Sequence, residues 1–170
     1  MGSKFNLAKV GIALLVGIYF AWCAIAPFQW RLIDGVNLFV HEAGHLVFSP
    51  LGEFFSVLGG SLIQVIMPTT FVAYFIYQED NYSGALTVNW VGQNLLNISV
   101  YAGDAVAMQL PLVGNGDRIH DWNYILTELG LLNYTPRISL VIRLLGTLTI
   151  IAATLFALYS SRIKEESARE

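Results

Sequence analysis

The sequence predicts an all-α fold: a polytopic transmembrane helix bundle with about four spans and a short buried HExxH helix. Hydrophobic residues make up 55 % of the 170 residues, and charged residues only 12 %. A soluble domain carries about 25 % charged residues, so this chain cannot cover a water-facing surface and lipid must be part of its solvent. The net charge of −3 gives no indication of nucleic acid as a partner.

Long apolar stretches define the helices of a single integral membrane domain, residues 1–170. We expect spans at about 6–26, 55–77, 86–112 and 138–160, a short helix at 36–49, a short amphipathic helix at 124–132 and a charged tail at 162–170. The stretch 36–49 is shorter than the ~20 residues that a full span needs. This helix is therefore expected to lie partly buried among the others.

The first apolar stretch has features of both a signal peptide and a transmembrane helix. Lys4 and Lys9 resemble the positive region of a signal peptide, and residues 24–26 resemble its cleavage site. However, the apolar run 10–26 is long for such a peptide, and Pro27 just after the site would hinder cleavage. We interpret the stretch as a retained transmembrane helix.

The distribution of basic residues predicts that both chain ends are cytoplasmic. Lys4 and Lys9 flank the first span, and Arg162, Lys164 and Arg169 follow the last. Segments rich in lysine and arginine stay on the cytoplasmic side of a membrane. An even number of crossings follows, most simply four.

The strongest chemical signal is the motif His41-Glu42-Ala43-Gly44-His45 within apolar sequence. Its two histidines share one helix face, where they can bind one Zn²⁺ and leave positions for a third ligand and a water. In metalloproteases the glutamate of this motif is the general base. Three ionisable residues in one turn of an intramembrane helix are costly without a metal or a polar cavity.

Two residues qualify as the third ligand. Asp104 is the only charge on a polar stripe of helix 86–112, and an ion pair with Arg143 of the last span is an equal alternative for it. His120 is the other candidate, with Asp121 able to orient its ring. The alternative for His120 is an ordinary loop histidine at the membrane interface.

The amides of Gln93 and Asn97 lie on the same stripe as Asp104. We predict that they bind the substrate backbone or an oxyanion. Polar bonding between helices is the alternative role for both residues.

These motifs resemble the site-2 protease clan of intramembrane zinc metalloproteases. The HEAGH box within an apolar helix is a good motif of that clan, and Gly103-Asp104 is the best match to the clan's aspartate ligand. The stretch 59–61 (Gly-Gly-Ser) is similar to a glycine-rich irregular segment of the clan, which implies extended backbone that holds substrate. Asp104 lacks the clan's usual Asn-Pro or Leu-Asp-Gly context. Segments at 92–97 and 120–124 are similar to small bacterial membrane proteins with the same box, which implies a bacterial inner membrane.

The sequence thus predicts a membrane-embedded zinc metallopeptidase that hydrolyses peptide bonds of a membrane protein or peptide by a metal-activated water. One Zn²⁺ is the expected cofactor, although another divalent metal could fit these ligands. The alternative is a non-catalytic metal-binding protein: a sensor, a metal-handling protein or a structural zinc site. A metal-free membrane scaffold is the third hypothesis. The sequence does not indicate an oligomeric state.

Overall fold

The computed structural model describes residues 4–110 and 120–163. Within these residues the chain forms six α-helices and two short 3₁₀ turns, and its only paired extended backbone is an isolated bridge between Phe5 and Arg162. In chain order the helices are α1 (Leu7–Ile25), α2 (Leu32–Phe48), α3 (Glu53–Tyr77), α4 (Asn81–Gly103), α5 (Asp121–Glu128) and α6 (Thr135–Ser160). The predicted all-α fold is confirmed for this part of the chain.

Three of the described helices, α1, α3 and α6, are long and apolar enough to cross a membrane. This is what a membrane protein requires. The helix α4 has 23 residues, but buried amides and small residues interrupt its apolar sequence. The fourth crossing therefore stays a prediction.

Helix boundaries differ from the predicted ones where local hydrogen bonds intervene. The helix α2 begins at Leu32 rather than at 36, because the Asp34 carboxylate accepts a hydrogen bond from the Arg31 backbone N–H at 2.7 Å and closes the first turn. Similarly, Asp80 caps the start of α4 by accepting from the Ser83 N–H at 3.0 Å. The helix α4 ends at Gly103, so its predicted extension to 112 is wrong.

Residues 111–119 and most of the predicted charged tail, residues 164–170, lie outside the described residues. Of the predicted tail, Arg162 and Ile163 are described, and neither is helical.

The helix α4 contacts α6 backbone to backbone. A Cβ atom added at Gly92 would lie 2.9 Å from the carbonyl oxygen of Gly146, and one added at Gly146 would lie 2.8 Å from that of Gly92. Small residues of this kind let helix backbones approach closely in a membrane. The contact is reinforced by a hydrogen bond of 3.0 Å from the Thr154 hydroxyl to the Asn89 side chain.

The start of α1 and the end of α6 meet at one end of the bundle. The Asn6 N–H donates to the Ser161 carbonyl, and the Ile163 N–H donates to the Lys4 carbonyl, both at 2.9 Å. The start of α4 lies at this same end, because the Tyr82 hydroxyl donates to the carbonyl of Lys9 at 2.7 Å.

Glycines allow α2 to pack closely against the first half of α3. A Cβ atom at Gly44 would overlap the carbonyl oxygen of Gly59, and one at Gly60 would lie 2.6 Å from the ring of His41. The prediction of extended backbone at 59–61 is wrong, because these residues are helical and buried. Their small size serves helix packing instead.

We expect Gly92→Ala to lower the free energy of unfolding by about 1–3 kcal/mol, because the added methyl group would force two helix backbones apart. Gly11→Ala is the matched control, since no atom lies within 4 Å of its added Cβ. The control should leave stability unchanged or raise it by about 1 kcal/mol through helix propensity. Unfolding by SDS in mixed micelles measures both variants, and equal stabilities would contradict the contact.

Candidate metal centre

Three helices supply the side chains of the candidate metal centre. His41, Glu42 and His45 project from α2, Gln64 from α3 and Asp121 from the first turn of α5. Both His41 and Asp121 are buried, each with 7 % of its surface exposed. Ionisable groups this deep in an apolar bundle need partners.

The Nδ1 atom of each motif histidine already has a hydrogen-bond acceptor. His45 Nδ1 lies 2.9 Å from the carbonyl oxygen of Ser56, which can only accept, so this nitrogen carries the proton. His41 Nδ1 lies 3.0 Å from Gln64 Oε1. The Gln64 amide nitrogen donates to Asn97 at 3.0 Å, which orients its oxygen toward the imidazole. Both rings therefore direct Nε2 toward a common point.

The carboxylate of Asp121 lies at that point. Its Oδ2 atom is 2.8 Å from His41 Nε2 and 3.4 Å from His45 Nε2. When each Nδ1 carries the ring proton, both Nε2 atoms and Oδ2 present lone pairs to one another, so a cation between them is required. Either protons or a metal ion can meet this requirement.

The donor set fits zinc. Two imidazole nitrogens and a carboxylate oxygen are common zinc ligands, and each imidazole has the outer hydrogen-bond partner that such ligands usually have. Ligand atoms around a tetrahedral zinc lie about 3.3 Å apart. The separation of His45 Nε2 from Asp121 Oδ2 matches this value at 3.4 Å, whereas that of His41 Nε2 is shorter at 2.8 Å.

Glu42 lies beside the same group. His41, Glu42 and His45 each offer a ligand atom, and these atoms lie within 4.8 Å of one another. Glu42 and His41 also line a cavity of about 340 Å³, together with Tyr101 and Asn97. Much of its remaining wall is apolar and comes from Pro27, Phe28, Trp30, Leu38, Val100 and Leu110.

Two hydrogen bonds fasten α5 in place. The Trp122 indole N–H donates to the Ser61 hydroxyl at 3.1 Å, and the Asn123 amide donates to the Ala105 carbonyl at 2.8 Å. Burial by itself raises the pKa of Asp121, but the hydrogen bonds that His41 and His45 donate when their Nε2 atoms are protonated outweigh burial and lower that pKa below its ordinary value.

Gln93 and Asn97, the predicted substrate donors, both bond to Asp34 of α2. The Gln93 amide nitrogen lies 2.7 Å from Asp34 Oδ1, and that of Asn97 lies 3.4 Å from the same atom. Gln93 also accepts from the Asn37 amide, whose oxygen accepts from the Trp90 indole at 2.8 Å. Asn97 lines the cavity. Both residues thus link helices, while a role in binding substrate stays a prediction.

The two predicted third ligands, Asp104 and His120, contact each other. His120 Nε2 lies 3.1 Å from Asp104 Oδ2, which also accepts from the Leu110 N–H at 2.8 Å. Arg143, the alternative partner of Asp104, points instead to the carbonyl of Ala24 at 3.4 Å. The structure brings Asp121, rather than Asp104 or His120, to the two imidazoles.

From the sequence, Asp121 is expected only to orient the ring of His120. No pattern marks it as a ligand, because it opens a short helix 80 residues away from His41. Its contact with His41 depends on how α5 docks on α3.

No protein-family model matches this chain, and neither a curated protein nor a solved structure is significantly similar to it.

Proposed function

We propose that this protein is a membrane-embedded zinc metallopeptidase in which His41, His45 and Asp121 hold the metal and Glu42 is the general base. One observation carries the proposal: two imidazoles with occupied Nδ1 atoms direct Nε2 at a single buried carboxylate oxygen. An HExxH pair with a carboxylate third ligand leaves one coordination position open.

The residues around this position have the chemistry that peptide hydrolysis requires. Bound zinc would polarise the substrate carbonyl and lower the pKa of water to about 7. Glu42 takes the proton from the attacking water and delivers it to the leaving amine. The hydrogen bonds of Gln64 and Ser56 hold both imidazoles in the tautomer that presents Nε2.

The cavity beside Glu42 suggests the class of substrate. Its largely apolar wall favours apolar side chains of a peptide or membrane protein, and its polar lining includes Gln64, which lies 3.0 Å from His41. We infer that substrate reaches the site from within or near the bilayer.

The topology that we propose has four crossings, α1, α3, α4 and α6, with both chain ends in the cytoplasm. The backbone pairing of residues 4–6 with residues 161–163 supports an even number of crossings. Lys4, Lys9 and Arg162 lie at this end, which is the cytoplasmic side by the positive-inside rule. The metal centre contacts the first half of α3, whose second half leads back to that end, so it belongs to the opposite half of the bundle.

A non-catalytic metal site is the second candidate, and the position of Glu42 favours it. Its ligand atom lies within 4.8 Å of those of His41 and His45. If Glu42 joined Asp121 as a fourth ligand, the site would be closed to water and structural.

Asp121→Asn should weaken zinc binding by about 100-fold or more, because a direct ligand should matter at least as much as the outer hydrogen-bond partners of a metal site. Asp104→Asn and His120→Asn should retain zinc within about tenfold. Asp80→Asn, at the start of α4, is the matched control. Competition with a chromophoric chelator measures the affinities, and zinc loss in the Asp104 variant with none in the Asp121 variant would contradict the ligand set.

Gln64→Leu should weaken zinc binding by about 10–100-fold, because the proton on His41 Nδ1 loses its buried acceptor. Thr69→Val, on an exposed turn of the same helix, should not change the affinity. The same chelator competition measures both variants. Equal affinity in the Gln64 variant would show that the hydrogen bond does not hold the ring.

Glu42→Gln should retain about one zinc per chain and lose at least about 100-fold in the cleavage of a fluorogenic leucine-rich transmembrane peptide in phosphatidylcholine vesicles. Metal analysis of the purified variant is the control for the site. If the variant cleaves the peptide as fast as the parent protein, Glu42 is not the general base. If it loses zinc, Glu42 is a ligand and the structural alternative gains support.

A further inference from the structure

Three residues near the metal centre have no part in the proposed ligand set. Asp104 is partly buried and His120 is buried, and they form a pair with Nε2 and Oδ2 3.1 Å apart. The ring of Tyr101 stacks on His120 with centroids 5.0 Å apart and planes at 11°. The hydrogen bond to Asp104 orients the His120 ring, and the stacked His120 ring in turn restricts the orientation of Tyr101.

Tyr101 also contacts the candidate metal centre. Its ring meets the ring of His41 edge to face, with centroids 5.9 Å apart and planes at 71°. Tyr101 also lines the cavity that His41 and Glu42 share. The Tyr101 phenol therefore borders the cavity that would receive the substrate carbonyl in the proposed function.

The amides nearby have other partners. The amide nitrogens of Gln64 and Gln93 donate to Asn97 and Asp34, respectively. The Asn97 amide points to Asp34 at 3.4 Å. Among the described residues, no hydrogen bond involves the Tyr101 hydroxyl, so its O–H is available to donate into the cavity. The Ser61 hydroxyl also lines the cavity, and it accepts from the Trp122 indole N–H.

We propose that Tyr101 is a catalytic residue, which donates a hydrogen bond to the oxyanion of the tetrahedral intermediate, and that Asp104 and His120 are positioning residues for it. This inference rests on the proposed function. Donors aimed at the position where negative charge develops contribute more to the rate than to substrate binding.

At the metal centre, the proposed reaction needs only water, the peptide and the side chains of Glu42 and Tyr101. Water oxygen forms a bond to the carbonyl carbon, the π electrons move to the carbonyl oxygen, and Glu42 accepts the proton of the water. Tyr101 keeps its own proton and shares it with the new oxyanion. When the C–N bond breaks, the electrons return to form the carbonyl, and Glu42 delivers its proton to the amine.

Tyr101→Phe should lower kcat by about 100- to 1,000-fold with little change in KM, since it removes one oxyanion donor and keeps the stacked ring. The assay is cleavage of the fluorogenic leucine-rich peptide by the full chain in phosphatidylcholine vesicles. Tyr74→Phe, an exposed position on α3, is the matched control and should be fully active. Unchanged kcat in the Tyr101 variant overturns the proposal.

A binding measurement separates this role from a structural one. A phosphinic Leu-Leu dipeptide has tetrahedral, negatively charged oxygens like those of the intermediate. Its affinity should fall by about 100-fold in Tyr101→Phe, while zinc content and thermal midpoint stay at parent values. Equal affinity in the two proteins overturns the assignment, whether or not the transmembrane peptide is cleaved.

The positioning role of Asp104 is tested by a double-mutant cycle. Asp104→Asn should lower kcat by about tenfold in the parent protein and should have no effect in the Tyr101→Phe background, because both changes remove the same interaction. Additive effects would show that Asp104 acts independently of Tyr101. Activity that survives Glu42→Gln would count against the peptidase mechanism itself, whereas an inactive Glu42 variant beside a fully active Tyr101 variant would overturn this inference alone.

Discussion

The close contact between α2 and α3 is the constraint on which the metal centre depends. Gly44 and Gly59 let the two backbones touch, and Gly60 leaves room for the ring of His41. Only at this separation can Ser56 and Gln64 reach the Nδ1 atoms of the two histidines. A larger residue at any of these glycines would separate the imidazoles from their acceptors as well as destabilise the bundle.

Burial of polar groups in this bundle is made tolerable by mutual hydrogen bonding. Asp34 accepts from the Arg31 backbone and from Gln93, and Asn37 bonds to both Gln93 and Trp90. Each unpaired group would cost several kcal/mol in a lipid environment. These contacts also explain why α4 has low hydropathy for a helix of its length: its polar side chains face other helices instead of lipid.

Two groups of polar side chains lie around the candidate metal centre. Asp121 is held against the histidines by the anchors of α5, namely the bonds of Trp122 and Asn123. Asp104 bonds to His120, whose ring stacks on that of Tyr101. The two predicted third ligands thus contact each other, and their neighbour Asp121 is the carboxylate that contacts the two imidazoles.

The sequence by itself determined the helical fold and the paired histidines, because both follow from local periodicity and composition. A helix repeats every 3.6 residues, so His41 and His45 share a face wherever the helix packs. Only the tertiary structure placed the Asp121 carboxylate opposite these histidines and showed that residues 59–61 are helical. The carboxylate comes from a short helix that docks 80 residues away from His41, and residues 59–61 pack against a neighbouring helix. Neither kind of contact leaves a periodic pattern along the chain. They depend on which surfaces of the folded bundle fit together.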